Sequence, residues 1–347
     1  MRLARWRADC QRVAQYTQSD RLVNRKFGAD SRPAHAPARR VNASFLSASE
    51  NPVANRLCSA AMTPSDSLDQ LVRDACQGSA TALERHFVKR GGLPGSRPNY
   101  ALARDAASAL LAQGAAGQRY LMHLARLDEN AAPDDTAHEF LVLVGVIGLG
   151  LQAARSPQPL SSCESLHSLQ QYVEDRRRHV RHAVHVALAD VLTHRGDEAV
   201  EAFASWTDGY LQAEAVLRAM TSPDAERGIR ASDAMIARFD EAFDLLEKAP
   251  RSHERSHGYR ALLRAIAEAS PKVGKRFAPQ FSEWLEAKAA TRVPALRNAI
   301  RQATSKLRRA GGRAGDLDAV RRALERSEPA PRDPRTMVGP TRKRGKR

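Results

Sequence analysis

Apolar residues recur every three or four positions along most of the chain, with polar residues between them. Within residues 178–194, for example, Val180 and Val184 fall on one face of a helix. Arg178 and His185 fall on the opposite face. No stretch of useful length alternates apolar and polar residues as a half-buried strand does. The pattern therefore predicts an all-α protein.

Short loops rich in Gly, Pro or Ser separate most of the predicted helices. Short connections between amphipathic helices produce antiparallel pairs, and pairs that cannot bury both faces alone stack on their neighbours. We therefore expect the pairs to form a curved α-solenoid with a concave face. The helices are predicted at residues 67–76, 80–89, 100–113, 117–127, 136–153, 164–173, 178–194, 197–206, 210–220, 231–248, 255–268, 272–287, 294–309 and 316–326.

The helix predicted over residues 136–153 is almost entirely apolar. Thr136 and Glu139 have the spacing of a capping box, in which each side chain satisfies a backbone amide of the other residue. The apolar run Phe140–Leu151 is only about twelve residues long, too short to span a bilayer. We therefore expect a buried helix and no membrane partner.

Composition divides the chain into three segments. Residues 1–61 lack a sustained helical period, and we predict a disordered or mis-annotated N-terminal extension, with Met62 as the initiator. Residues 62–326 form the predicted helical repeat domain, and residues 327–347 a disordered basic tail. Of the formal charge of +16, the first segment carries +7, the last +5 and the predicted domain +4. The high positive charge therefore describes mainly the two ends, which can bind acidic molecules without specificity.

Motifs that would indicate an enzyme are missing from the sequence. The four cysteines, which form no Cys-x-x-Cys pair, favour a reducing cytoplasm rather than a zinc or disulfide site. Neither Gly-x-Ser-x-Gly, His-Glu-x-x-His nor a glycine-rich phosphate loop between strand and helix is present. We expect no cofactor and no metal, and we favour a non-catalytic protein.

Asp175 precedes the helix predicted at residues 178–194, and Arg181 lies within it. This Asp…Val-Arg…Leu pattern resembles the second helix of HEAT repeats. The resemblance implies that Asp175 and Arg181 form a charge-assisted hydrogen-bonded pair that links one repeat to the next. A weaker copy surrounds Arg297, without the preceding aspartate.

The layout of residues 257–301, with Tyr259, Gly274, Trp284 and Arg297, resembles the end of a bacterial group of HEAT-like proteins. That group is similar in fold to DNA alkylation repair glycosylases, and the resemblance covers roughly residues 80–310. Such a glycosylase needs aromatic side chains and a carboxylate. Trp206 and Asp208 are the nearest match by residue type, although Trp206 also has the helical spacing of a core residue.

Two groups of side chains are candidates for a binding surface. Arg297, Arg301 and Arg308 fall close together on one face of the helix predicted at 294–309. They form either a stripe that follows phosphates or a solvated basic cap. The other group, on the helix predicted at 178–194, comprises Arg178, Arg181, His182 and His185. His179 and His185 diverge by about 120 degrees around that helix, so the three histidines cannot close on one metal ion.

These patterns leave two functions open. The first is a non-catalytic helical-repeat scaffold that presents a concave, mildly basic surface to a macromolecular partner, most simply a protein. The alternative is a DNA-binding protein of the alkylation-repair type, which would use the arginine stripe and the basic tail Thr341–Arg347.

Overall fold

A computed structural model describes residues 67–328. The predicted N-terminal extension, the predicted start at Met62 and nearly all of the predicted tail lie outside these residues. The described residues form fourteen α-helices joined by loops and short 3-10 turns, and they contain no strand. The all-α prediction is therefore confirmed for this part of the chain.

The helices are numbered in chain order. Their bounds are α1 Leu68–Cys76, α2 Thr81–Arg90, α3 Tyr100–Ala112, α4 Ala115–Ala125, α5 Glu139–Arg155, α6 Glu164–Leu169, α7 Arg178–Arg195, α8 Asp197–Ala202, α9 Tyr210–Met220, α10 Ser232–Glu247, α11 His257–Arg276, α12 Ala278–Lys288, α13 Pro294–Arg309 and α14 Ala314–Arg326.

The chain divides into two compact units, Met1–Leu83 and Glu84–Arg347. In the first unit, α1 begins at a side-chain cap, because the hydroxyl of Ser67 accepts a hydrogen bond from the backbone N–H of Gln70 at 3.3 Å. Within α1, the amide of Gln70 donates to the carboxylate of Asp74 at 2.8 Å. The second unit contains the helices α3 to α14.

Alternate helices of the second unit pack on each other in two rows. In the odd row, α3 packs on α5, α5 on α7, α7 on α9, α9 on α11, and α11 on α13. In the even row, α8 packs on α10, α10 on α12, and α12 on α14. Most odd-row helices also pack on the even-numbered helix that follows them. Consecutive helices therefore contact each other as well as their neighbours in the odd row, and the contacts along the even row begin at α8.

Basic side chains tie the ends of neighbouring odd-row helices together. Arg195, the last residue of α7, donates to the carbonyl of Ser156, the C-cap of α5, at 2.7 Å. Lys272, near the end of α11, donates to the carbonyl of Thr221, the C-cap of α9. The last carbonyls of a helix lack partners within the helix, and Arg195 and Lys272 donate to such carbonyls. The positive charges of both side chains also interact favourably with the negative end of the helix dipole. Because C-terminal ends lie beside C-terminal ends, neighbouring odd-row helices run parallel.

An arginine occupies the fourth position of both α7 and α13 and makes the same kind of contact. Arg181 donates to the carbonyl of Asp175, six residues earlier, at 2.5 Å. Arg297 donates to the carbonyl of Thr291, also six residues earlier, at 3.3 Å. Each guanidinium thus satisfies backbone carbonyls of the loop that leads into its helix. The internal copy inferred from the sequence around Arg297 is a repeated hydrogen-bonding pattern.

The predicted hydrogen-bonded pair of Asp175 and Arg181 forms through the backbone carbonyl of Asp175, not through its carboxylate. The carboxylate of Asp175 pairs instead with Arg177, at 2.7 Å. Arg177 is buried and also donates to the carbonyls of Leu127 and Ala132, both at 3.1 Å. A carboxylate beside this buried guanidinium offsets the cost of removing its charge from water, whereas Arg181 needs only carbonyls.

Two details at helix boundaries also differ from prediction. The hydroxyl of Thr136 donates to the carbonyl of Pro133, so no capping box forms. The carboxylate of Glu139 does accept a backbone N–H, that of Asp135, at 2.9 Å.

The break predicted between residues 268 and 272 is absent, because α11 continues through Pro271 to Arg276. Ser270 before Pro271 and Val273 two residues after it are buried, and this packing outweighs the lost hydrogen bond.

Helix α5 is the centre of the second unit. Every residue from Glu139 to Leu151 is buried, and the helix contacts α3, α4, α6 and α7. Its glycines allow close approach of the neighbouring backbones. A Cβ at Gly145 would lie 2.2 Å from the backbone nitrogen of Ala125 in α4, and one at Gly150 would lie 2.6 Å from the Cβ of Ala187 in α7. The close packing of α5 against α4 and α7 therefore requires glycine at positions 145 and 150.

We expect Gly150→Ala to lower the free energy of unfolding by roughly 1–3 kcal/mol, because the added methyl group overpacks the contact with α7. Gly315→Ala in α14 is the matched control, since nothing lies within 4 Å of its Cβ position. The control should leave stability unchanged or slightly higher. Urea unfolding of the full chain measures both, and equal stability of the two variants would contradict the close contact.

We expect Arg297→Met to lower the free energy of unfolding by about 2–4 kcal/mol, because it leaves buried carbonyls of Leu324 and Ala289 without this donor. The exposed Arg301 serves as the control, and Arg301→Met should change stability by less than about 0.5 kcal/mol. Chemical denaturation followed by circular dichroism distinguishes the two, and similar small effects would show that Arg297 is dispensable for the fold.

Candidate functional site

Charged and aromatic side chains meet across the surface of the odd row. We call this surface the odd-row face. Its members come from helices that are far apart in sequence but neighbours in the row. They are Tyr100 and Arg104 of α3, Arg178, His182, His185 and Asp190 of α7, Glu214 and Arg218 of α9, and Glu268 of α11.

A chain of ionic contacts joins α7, α9 and α11. The Nε2 atom of His185 lies 3.1 Å from Oε2 of Glu214. The other oxygen of Glu214 accepts a short hydrogen bond from Nε of Arg218. Arg218 in turn reaches Oε2 of Glu268, with its Nη2 atom at 3.6 Å. Three successive odd-row helices are therefore connected, by a hydrogen-bonding contact between His185 and Glu214 and by the ion pairs of Arg218 with Glu214 and Glu268.

Glu214 is the electrostatic centre of this chain. Only about 10% of its side chain is exposed. Burial by itself would raise the pKa of Glu214, but the hydrogen bonds and positive charges of His185 and Arg218 outweigh burial and lower it to about 2. Glu214 is therefore ionised at neutral pH, and its two partners hold both of its oxygens.

Aromatic rings continue the contacts toward α3. The ring of His182 lies 5.1 Å from that of Tyr100 and 5.4 Å from that of His185, measured between centroids. His182 is exposed at the surface, yet surrounding protein desolvates much of its ring. This desolvation, together with the charges of His185 and Arg218, lowers the pKa of His182 to about 4. His182 is therefore neutral at pH 7.

A second ionic contact joins α3 directly to α7. Arg104 donates from Nε to Oδ2 of Asp190 at 3.0 Å, and its Nη2 atom lies 2.9 Å from Oδ1. Asp190 is buried, and burial raises its pKa, although Arg104 opposes the shift. The two-point contact fixes the orientation of both side chains.

Three unpartnered polar atoms lie at or beneath this surface. Neither Oη of Tyr100, Nδ1 of His185 nor Oε1 of Glu139 has a hydrogen-bond partner, and all three atoms are buried. Glu139 is fully buried, and burial raises its pKa. A general base must reach the proton that it removes. The Nδ1 atom of His185 is shielded from solvent, so the His185–Glu214 contact acts here as a structural link.

Metal binding finds no support in the arrangement of the histidines. Within residues 67–328, no group of three or more His, Cys, Asp and Glu side chains is placed to hold a metal ion. The Nε2 atom of His179 lies 3.3 Å from Nη2 of Arg178.

The predicted residues of α7 have different environments. Arg178 and His182 are exposed. His185 is half-buried against Glu214, and the guanidinium of Arg181 is occupied by the carbonyls of Asp175 and Arg176. The structure thus brings His182 and His185 together on the odd-row face, while Arg181 has a structural role.

The predicted arginine stripe of α13 does not form. Arg297 is buried and bonded to backbone carbonyls. Arg301 pairs with Glu328 at 3.1 Å, and Arg308 pairs with Asp318 at 2.5 Å. The helical period places these arginines near one face of α13. Arg297 is buried, and Arg301 and Arg308 are paired with acidic residues in and beyond α14. None of the three is therefore an unpaired cation at the surface.

The two residues considered for glycosylase chemistry differ in their exposure to solvent. Trp206 is fully buried and contacts Phe203, with ring centroids 6.0 Å apart, as expected of a core residue. Asp208 is exposed on the loop that leads to α9. An indole without exposed surface cannot grip a nucleotide, so this pair offers no site.

Tyr100, Arg104, Glu214, Arg218 and Glu268 were not predicted as site residues. Each lies at an unremarkable position of a helical pattern, and its partner is distant along the chain. Glu214 followed by Arg218, four residues later on the same helix, is the one local signal that could have indicated an ion pair.

Comparison of the chain with protein-family models, with curated proteins and with solved structures gave no match. None of the described helices combines the length and the apolar character that crossing a bilayer requires.

We expect Glu214→Gln to lower the free energy of unfolding by roughly 1–3 kcal/mol at pH 7, because it leaves Arg218 and His185 without their shared carboxylate. The contribution of the ionised form is present above the ordinary pKa of 4.5 and is lost as the pH falls toward about 2. The difference between wild type and variant should therefore shrink between pH 5 and pH 2, as measured by urea unfolding.

Glu268→Gln is the matched control, because Glu268 is half exposed and lies 3.6 Å from Arg218. It should change stability by less than about 1 kcal/mol. A difference for Glu214→Gln that does not depend on pH would contradict the electrostatic role of Glu214.

Proposed function

We propose that this chain is a non-catalytic helical-repeat protein of HEAT-like architecture, whose odd-row face binds a protein partner. The continuous odd row from α3 to α13, with the even row from α8 to α14, supports the stacked arrangement of an α-solenoid. The repeated contact made by Arg181 and Arg297 supports the resemblance to HEAT repeats, since it places an equivalent arginine at the start of two helices.

The alternation of charge on the odd-row face is the observation on which the choice of partner rests. Asp190 lies beside Arg104, and Glu214 and Glu268 lie on either side of Arg218. Duplex DNA is bound by surfaces that accumulate positive charge, because each phosphate contact needs a cation. A face of mixed sign suits a protein partner, whose own charges alternate, and opposed like charges would exclude wrong partners.

The alternative of a DNA-binding protein of the alkylation-repair type has less support. Its predicted stripe needs Arg297, Arg301 and Arg308, but one of these is buried and the other two are paired with carboxylates. Its predicted aromatic residue, Trp206, has no exposed surface. The positive charge at the two ends of the sequence still supports this alternative.

A photo-crosslinking residue in place of His182 tests the proposal in the full chain. In a lysate of the source cells, it should crosslink to one defined protein. The same residue in place of Arg119, exposed on α4, is the matched control and should not. Crosslinks to nucleic acid at position 182, or identical products at both positions, would overturn the assignment of the odd-row face to a protein partner.

The DNA-binding alternative predicts that Arg301 and Arg308 contribute to the affinity for DNA, whereas the proposed function does not. We expect Arg301→Ala/Arg308→Ala to leave any affinity of the full chain for a 20-base-pair duplex unchanged, because both arginines are already engaged. Fluorescence anisotropy at several salt concentrations measures this. A loss of affinity together with a shallower salt dependence would favour the DNA-binding alternative.

A further inference from the structure

A dense group of basic side chains lies where α11 begins. The 3-10 turn Arg251–Arg255 leads into α11, and every residue from 251 to 257 is exposed. We call the following set the Arg251–Arg264 patch. It consists of Arg251, His253, Arg255, His257, Arg260 and Arg264, and its arginines are all exposed.

The arginines of this patch are not neutralised by neighbours. Among the described residues, no carboxylate lies within ion-pair distance of any of the four. Arg264 donates to the carbonyl of Arg260 at 3.3 Å, within its own helix. On the odd-row face, by contrast, Arg104 is paired with Asp190 and Arg218 with Glu214. The patch thus presents concentrated and unpaired positive charge.

The patch is held in a defined position. The hydroxyl of Tyr210 and Nδ1 of His253 lie 3.0 Å apart, and the ring of Tyr210 packs edge-on against the buried Tyr259. The hydroxyl of Ser256 caps α11 by accepting the N–H of Tyr259 at 3.2 Å. The turn is therefore anchored to the starts of α9 and α11 while its arginine side chains stay in solvent.

The patch continues the odd-row face. Arg260, Arg264 and Glu268 succeed one another at intervals of four residues, so they form one stripe along α11. Glu268 contacts Arg218, which belongs to the face already described. A partner that covers the odd-row face beside Glu268 would also reach the unpaired arginines one and two turns earlier.

We propose that the Arg251–Arg264 patch binds an acidic segment, rich in Asp and Glu, of the protein partner. This inference rests on the proposed function. Arginine binds carboxylates through two parallel hydrogen bonds, and four arginines without acidic partners are complementary to such a segment. Glu254 lies within the patch and Glu268 borders it, so the cations do not extend into the long uninterrupted row that a nucleic-acid backbone occupies.

Binding of a fluorescein-labelled peptide of twelve glutamates to the full chain tests this inference by anisotropy. Arg260→Glu/Arg264→Glu should lower the affinity at least about tenfold, and binding should weaken with salt. Arg119→Glu/Arg322→Glu makes the same charge change at exposed arginines of α4 and α14, which lie outside the odd row, and should bind like wild type. Both variants keep the basic ends of the chain, so their difference isolates the patch.

Arg251→Ala/Arg255→Ala is a second variant, placed on the turn, and should also bind the peptide more weakly. Urea unfolding confirms that each variant folds. Equal affinity of both patch variants and the control would overturn the inference. So would a patch-dependent affinity for a 20-base-pair duplex that exceeds the affinity for the peptide. If the crosslink at position 182 still captures a protein in either case, the proposed function stands and this inference alone has failed.

Discussion

The backbone contact between α5 and α7 is the constraint on which the rest of the second unit depends. Gly150 lies so close to Ala187 that no side chain fits between them. Because α5 is buried along nearly its whole length, its position is set by the helices that pack around it. With α7 held this close, α3 and α7 can meet over α5, and Tyr100 reaches His182 while Arg104 reaches Asp190. The polar surface is therefore a consequence of tight apolar packing beneath it.

The contacts on the odd-row face serve specificity as well as stability. A buried charge is costly unless its partners are close, and Glu214 has a partner on each oxygen. Replacing the whole network by apolar side chains could give an equally stable fold, but the row would then lose the charges that distinguish partners. The unpaired arginines of the Arg251–Arg264 patch differ from this network, because they add nothing to the fold and remain available to a ligand.

The sequence predicted the helices well, because their periodicity is a local property. The bounds predicted for α9 and α13, residues 210–220 and 294–309, coincide with those in the structure. The break predicted between residues 268 and 272 was wrong, because burial before and after Pro271 cannot be recognised in a local pattern. Arg297 was placed on a surface for the same reason, since the turn that buries it comes from residues 324–327.

The candidate site could be predicted only in part. His182 and His185 were identified because they share a helix face, and that face does lie in the site. Their partners Tyr100 and Glu214 come from helices that are distant in sequence, and no local spacing indicates them. The arginines from 251 to 264 were visible as residues, but only the positions of the surrounding carboxylates distinguish them from the paired arginines of α13.

Hydrogen–deuterium exchange of the full chain, with and without the captured partner, tests the central claim most directly. The account predicts slower exchange in peptides that cover the start of α7, the turn at residues 251–255 and the first turns of α11, with unchanged exchange in α4 and α10. Protection confined to the even-row helices would contradict the claim that the odd-row face is the binding surface.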